Sequence, residues 1–223
     1  MTIFRAAAVE AVGTAMLLAI IVGSGIMGER LGQGNAAIAL LANSIATGAG
    51  LYVLIVMFGP ISGAHFNPIV SGVSAWKRQL TARDCGVYIL AQLIGALVGV
   101  AAAHAMFALP LIQVSRHLRP TPGEALGEFI ATFGLVLVIL LVSRFKHDVI
   151  AIAVAAFITS AYWFTSSTSF ANPAVTIARA LTNTFAGISP ESVPPFIGGQ
   201  LLGGLAAVLF GHWLLLRTAS APD

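Results

Sequence analysis

The chain has 223 residues, of which 58% are hydrophobic and only 9% are charged, and its formal net charge is +3. A soluble domain carries about 25% charged residues, so this composition excludes a water-facing globular surface and indicates a membrane protein. The small net charge gives no reason to expect a nucleic-acid partner, and the single cysteine, Cys85, excludes an internal disulfide framework and a multi-cysteine metal site.

Six apolar segments follow one another along the chain, and each is close to the ~20 residues that a membrane-spanning helix needs. They cover approximately residues 3–27, 36–58, 86–108, 124–142, 149–165 and 196–216. Charged turn sequences separate several of them, for example "GERLGQGN" after the first and "KRQLTARD" before the third. The sequence therefore predicts six spans, and the length of the first favours a span over a cleaved signal peptide.

The Lys and Arg residues orient these spans. With the N-terminus in the cytoplasm, seven of the 11 Lys and Arg residues fall on the cytoplasmic side. Cytoplasmic loops are the ones enriched in positive charge. We therefore expect a multi-pass protein whose N- and C-termini are both cytoplasmic.

Two uncharged runs, residues 31–76 and 149–178, are too long for one spanning helix. Each meets a helix breaker, "GPISGAHFNP" or "TSSTSFANP", and then enters a second apolar stretch at an Asn-Pro pair. Asn suits a helix cap and Pro suits the first turn, so short helices are predicted to begin after Asn67 and Asn172. Irregular backbone at membrane depth is tolerated only inside protein or along a watery cavity, which makes these segments re-entrant loops.

The chain is also duplicated. "VEAVGTAMLLAIIVG" resembles "GEFIATFGLVLVILL", with Glu10 matched by Glu128, and "AQLIGALVGV" resembles "GQLLGGLAAV". Each half holds three spans, an odd number, so the second half must be inverted relative to the first. Inverted repeats place a pathway at their interface near the membrane midplane. We expect one transmembrane channel domain over residues 1–223, with repeats at 1–110 and 120–223.

Taken together, these features resemble the aquaporin and aquaglyceroporin family. The resemblance rests on the inverted halves, the motifs "SGAHFNPIV" and "FANPAV", the pair Glu10 and Glu128, and the pair Gln92 and Gln200. It implies an all-α membrane fold of six transmembrane helices and two re-entrant half-helices. It also implies a passive channel in the lipid bilayer, a homotetramer with one pore per subunit, no enzyme activity and no cofactor. No histidine pair has metal-ligand spacing, so we expect no metal.

The resemblance assigns the pore motif to Asn67, Pro68, Ile69, Asn172, Pro173 and Ala174. The family's usual motif is Asn-Pro-Ala, so Ile69 departs from it, and Val175 stands where the family has an arginine. The N-termini of the two half-helices would point about half a positive charge each at the pore and disfavour cations. The Asn side-chain amides can donate hydrogen bonds to a passing solute.

Three polar residues are expected to support the re-entrant loops. The carboxylates of Glu10 and Glu128 would accept hydrogen bonds from loop backbone N–H groups, as the family's paired glutamates do, because a loop at membrane depth needs such partners. An ionisable residue inside a span is also a functional candidate, so a proton-coupled transporter that uses both glutamates stays open. His65 is expected to fix its loop rather than to gate the pore or bind a ligand.

The family's narrowest point is formed by four side chains at fixed spacings from the two motif asparagines. These spacings give a selectivity filter of Thr47, Ser160, Ser169 and Val175. A shift of one helical turn would instead bring in Tyr162, Trp163 or Phe164. Three small hydroxyl side chains and a valine are expected to leave a wide, uncharged ring.

A wide filter without arginine resembles the bacterial channels that conduct metalloid hydroxides. It implies passage of water and small neutral solutes, glycerol and arsenite among them, across a bacterial inner (plasma) membrane, with arsenite leaving the cell down its gradient. An ordinary water or glycerol facilitator and a non-conducting structural or adhesion member of the same fold are the remaining alternatives.

Arg179 lies one helical turn beyond Val175 on the same face of the second short helix. It is a candidate for the outer mouth of the pore. Alternatively, its side chain reaches to the membrane surface or pairs with Glu191.

Overall fold

The computed structural model describes residues 2–119 and 121–218, with side chains through Leu215. The limits of the predicted second repeat, residues 120 and 223, therefore lie outside the described part. So does the side chain of Arg217, one of the seven Lys and Arg residues expected on the cytoplasmic side.

Eight α-helices make up most of the described residues, which contain no β-strand. They are α1 (Ile3–Gly32), α2 (Ala36–Ser62), α3 (Pro68–Trp76), α4 (Ala82–Met106), α5 (Pro122–Phe145), α6 (Ile150–Phe164), α7 (Pro173–Arg179) and α8 (Val193–Thr218). Six are long and apolar enough to cross a membrane, with mean hydropathy from 1.5 to 2.5, if the short turn His147–Val149 is counted with α6. The predicted six spans and two half-helices are confirmed.

The helices run further than their apolar segments because polar residues cap them. The hydroxyl of Thr81 accepts the Asp84 N–H at 3.1 Å, so α4 begins before the predicted residue 86. Thr121 and Glu124 form a reciprocal capping box that starts α5 before residue 124. Such caps satisfy backbone N–H groups that have no partner within the helix.

Both halves pack in the same way. In the first half α1 lies against α4 and α2, and in the second α5 lies against α8 and α6. A Cβ added at Gly95 of α4 would overlap the carbonyl oxygen of Ala11 in α1. The same overlap would arise between Gly199 of α8 and Ala125 of α5. Small residues thus let the first and last helix of each half approach closely.

Candidate functional site

The two Asn-Pro pairs meet head to head in the interior. Asn67 donates from Nδ2 to the carbonyl oxygen of Ala171 at 2.8 Å. Asn172 donates from Nδ2 to the carbonyl oxygen of Phe66 at 2.7 Å. Each Oδ1 also caps its own half-helix by accepting the backbone N–H two residues on. A carboxamide carries two N–H hydrogens, so each asparagine retains one for a solute.

The motif residues Pro68 and Pro173 occupy the first turns of α3 and α7. Ala174 is fully buried, whereas Ile69 is accommodated by a matching small residue. A Cβ added at Gly204 of α8 would lie 2.8 Å from Cγ2 of Ile69, so the glycine provides the space that the larger motif residue needs.

Glu10 and Glu128 are fully buried, and each binds the backbone of the loop in its own half. Glu10 accepts the N–H groups of His65 at 2.9 Å and Phe66 at 2.7 Å. Glu128 accepts those of Phe170 and Ala171, both at 2.8 Å. Side-chain amides complete the two sites, because Gln92 donates to Glu10 and Gln200 to Glu128.

The loops reach the glutamates through an unusual backbone. Ala64 and Phe66 have φ of 50° and 49°, and Ser169 and Ala171 have φ of 50° and 48°. These residues stand three and one before the motif asparagine in each half. The left-handed conformation costs a residue with a side chain about 1–2 kcal/mol. The carboxylate hydrogen bonds offset that cost. The contact of loop with carboxylate was expected from the sequence, but the left-handed backbone was not.

His65 joins the same network and also faces the cavity. Its Nδ1 lies 3.1 Å from the hydroxyl of Ser71, and its ring packs edge-on against Tyr88 with centroids 5.4 Å apart. Its own backbone N–H is held by Glu10. The side chain is therefore fixed at the cavity wall.

A cavity of about 870 Å³ passes the junction of the half-helices, and Asn67 and Asn172 both line it. The half-helices lead away from the junction in opposite senses, so their C-terminal residues mark its two ends. We call one the lysine end; it is lined by Lys77, His147 and Asp148. We call the other the arginine end; it is lined by Thr47, Tyr162, Ser169, Phe170, Val175 and Arg179.

Three of the four predicted filter residues line the arginine end, and Ser160 does not. The side chain of Ser160 is exposed, and its hydroxyl donates to the carbonyl oxygen of Phe157 at 2.7 Å. α6 presents Ile158 and Tyr162 to the cavity, and a residue two positions from Tyr162 is rotated by about 200° on a helix. Tyr162, rather than Ser160, therefore lines the cavity, and its hydroxyl donates to Thr47 at 3.2 Å.

The other two residues that a one-turn shift would admit lie outside the cavity. Trp163 donates from Nε1 to the hydroxyl of Ser44 at 3.0 Å and is 49% exposed. Phe164 is 55% exposed. Of the three aromatic candidates, only Tyr162 lines the cavity.

Arg179 is buried, with 2% of its surface exposed, so it does not reach to the membrane surface. Its Nε donates to the carbonyl oxygen of Ala186, and its guanidinium carbon lies 3.4 Å from the ring centroid of Phe170. It forms no ion pair with Glu191, which is exposed. Both alternatives to a pore-mouth position are thus incorrect, and the charge sits in the cavity wall.

Comparison with known proteins decides the family. The model of the major intrinsic protein family matches residues 1–149. Aquaglyceroporin AqpS of Rhizobium meliloti is 51% identical over 211 residues, which cover 95% of this chain and 90% of AqpS. The chain belongs to the major intrinsic protein family. It is therefore a membrane channel for water and small solutes, not an enzyme.

More distant major intrinsic proteins agree over nearly the whole chain. Aquaporin NIP2-2 of Zea mays is 30% identical over 222 residues, covering 96% of this chain and 71% of the plant protein. The X-ray structure of the aquaglyceroporin from Plasmodium falciparum superposes with a TM-score of 0.68 at 20% identity, covering 95% of both chains. That likeness supports the fold.

This major intrinsic protein has a second buried arginine that sequence reasoning missed. Arg119, in the connection between the halves, is 7% exposed, and its Nη1 donates to the carbonyl oxygen of Ser167 at 3.0 Å. Its guanidinium carbon lies 5.1 Å from the ring centroid of Phe170. Burial lowers the pKa of Arg119 from its ordinary value. The residue stands in a polar turn sequence, where nothing distinguishes it from a solvated charge.

Proposed function

We propose that this chain is a passive channel for small neutral polyols and metalloid hydroxides, glycerol and arsenite among them, together with water. One observation carries the proposal: the arginine end is lined by both hydroxyl and apolar side chains. Thr47, Tyr162 and Ser169 supply hydroxyls, while Val175 supplies only carbon. A solute with several hydroxyl groups on one small centre suits such a lining.

With Tyr162 rather than Ser160 beside the cavity, the ring is smaller, but its hydroxyl chemistry is kept. Tyr162 makes the ring narrower than three small residues would, and it adds a third hydroxyl in place of the lost one. With valine at 175, no arginine side chain fills the ring from that position. A ring of this kind favours solutes larger than water and does not require them to be charged.

The hydrogen bonds and burial of Glu10 and Glu128 favour passive flow over proton-coupled transport. Both carboxylates are saturated by loop and amide donors and are sealed from water. A proton relay needs a carboxylate that exchanges protons with the pathway, and neither lines the cavity. Arsenite formed inside a cell would therefore leave by its own gradient.

The remaining family expectations enter as proposals. We infer a homotetramer with one pore per subunit from the family resemblance. We also infer that the lysine end faces the cytoplasm of a bacterial inner membrane. Lys77 lines that end, which follows the enrichment of positive charge in cytoplasmic loops.

The test is solute flux in proteoliposomes, with Thr47→Trp as the variant and Ser160→Trp as its matched control. Trp at 47 would fill the constriction, so glycerol and arsenite flux should fall about tenfold, equivalent to ~1.4 kcal/mol on the barrier. Water flux should fall less. Trp at 160 points away from the cavity and should leave all three unchanged.

Two results would contradict this proposal. Equal flux in both variants would remove Thr47 from the constriction. Flux of glycerol or arsenite that rises when a proton gradient is imposed would favour the coupled transporter instead.

A further inference from the structure

A guanidinium without a counter-ion lies at the arginine end. The Arg179 side chain has a single hydrogen bond, from Nε to the carbonyl oxygen of Ala186, and its Nη1 is buried with no acceptor. No carboxylate in the described parts of the chain lies within ion-pair distance of it. A buried charge normally has a paired carboxylate or a full set of hydrogen bonds. Arg179 has neither.

Arg119 adds to the same positive potential. It is also buried, its Nη1 and Nε are directed to backbone carbonyls, and it too forms no ion pair with a described residue. Both guanidinium groups lie over the ring of Phe170. The quadrupole of the ring and the dipole at the C-terminus of α7 offset part of the charge, but neither is a counter-ion.

A second polar atom at this end also lacks a partner. The hydroxyl of Ser169 is buried without a hydrogen bond, and Ser169 lines the cavity beside Arg179. The side chain of Val175 also lines the cavity, one helical turn from Arg179 on the same face of α7. Two unpaired donors and one apolar surface therefore lie together in the wall of one cavity.

We propose that the arginine end is a binding site for a small monovalent oxyanion. Charged oxygens of the ligand would accept hydrogen bonds from Arg179 and Ser169, and a small apolar substituent would lie against Val175. Arg179 supplies hydrogen-bonding capacity for one negative charge, because the Nη1 and Nε of Arg119 already donate to backbone carbonyls. A dianion would lose more hydration than this site returns. The inference rests on the proposed pore, but not on which neutral solute the pore conducts.

The test uses methanesulfonate, which stays a monoanion at all working pH values, and its neutral isostere methanesulfonamide. Glycerol flux into proteoliposomes is measured against increasing concentrations of each, and of sulfate. Methanesulfonate should inhibit wild-type flux at least ~tenfold more strongly than methanesulfonamide or sulfate, because a charge-assisted hydrogen bond is about twice as strong as a neutral one and ~1.4 kcal/mol is tenfold.

Three variants locate the effect. Arg179→Gln should weaken inhibition by methanesulfonate at least ~tenfold relative to that variant's own uninhibited flux, and Arg179→Lys should weaken it less. Arg116→Gln removes an exposed arginine near the same end and should keep wild-type inhibition. If Arg179→Gln fails to fold, wild-type inhibition compared with Arg179→Lys and Arg116→Gln still decides.

Binding is also measured without flux, by calorimetric titration of methanesulfonate into the detergent-solubilised wild-type channel. Absence of both binding and inhibition in the wild type would overturn the site while leaving the neutral-solute channel intact. Inhibition that is equal in wild type and Arg179→Gln would place the anion elsewhere and also overturn it. If the wild type conducts no glycerol, the proposed function fails, and the calorimetric titration alone tests the anion site.

Discussion

The substitution Glu128→Gln tests whether the buried glutamates support the loops or carry protons. Glu128 accepts the Phe170 N–H on Oε1, and the Ala171 N–H and Gln200 on Oε2. Glutamine has one acceptor oxygen. Its best orientation keeps the two bonds on the Oε2 side and turns an NH2 group toward the N–H of Phe170.

The expected cost follows from these bonds. The variant loses one charge-assisted hydrogen bond and leaves a buried N–H without an acceptor. Burying a neutral amide costs less desolvation free energy than burying a carboxylate, which offsets part of the loss. The net destabilisation is about 2–4 kcal/mol. For a chain of this length that corresponds to a fall in the midpoint of thermal unfolding of roughly 4–15 °C. Glycerol flux per folded channel should persist and remain indifferent to a proton gradient, because the carboxylate lies outside the cavity.

Thermal unfolding in detergent and flux in proteoliposomes measure the two effects separately. Glu29→Gln is the matched control: Glu29 is exposed, and an exposed substitution of this kind changes stability by about 0.5 kcal/mol or less. A Glu128→Gln protein as stable as the wild type would refute the loop-supporting role. Loss of a proton-dependent component of flux without loss of stability would establish the transporter.

Two further predictions concern the filter and the helix packing. Val175→Arg places a long cation in the constriction one turn from Arg179, so stopped-flow measurements should show glycerol and arsenite flux reduced about tenfold with water flux largely kept; unchanged arsenite flux would remove Val175 from the filter. Gly199→Ala drives a Cβ into the backbone of α5 and should destabilise the channel by about 1–3 kcal/mol in thermal unfolding, whereas Gly198→Ala, where a Cβ meets nothing within 4 Å, should be neutral or slightly stabilising. Equal stability of the two alanine variants would contradict the close packing of α5 and α8.

Sequence reasoning located the spans and the half-helices because they depend on local signals. A long uncharged run marks a span, and Asn67 and Asn172 mark where each half-helix begins. Duplication pointed to the glutamates, since an equivalent carboxylate stands in each of two apolar halves. The sequence did not predict the backbone of the loops, because the residues in the left-handed conformation are not glycines.

The misplaced filter residue has the same origin. The assignment of Ser160 to the filter depends on a fixed spacing from Asn172. The residues between them include irregular loop, which does not fix the register of a helix. An error of two residues on α6 rotates a side chain by about 200°, which is the difference between lipid or protein outside and the cavity inside. Arg119 was missed for another reason: its contact with Phe170 joins distant parts of the chain, and no periodic pattern signals such a contact.

The symmetry of the two halves separates what holds the pore together from what selects its solute. Gln92 bridges Glu10 to Ser71, and Gln200 bridges Glu128 to Thr176, so the amide bridge between carboxylate and half-helix is repeated in both halves. A difference in charge appears seven residues after each motif asparagine.

At that position the second half has Arg179, buried in the cavity wall, and the first half has Ser74, which donates to Gln79 at 3.5 Å. A mutation in the repeated network should therefore act mainly on stability, as Glu128→Gln is expected to do. A mutation at an unmatched position should act on solute choice. The one buried charge that breaks the symmetry of the half-helices is the place where the two ends of the pore become chemically different.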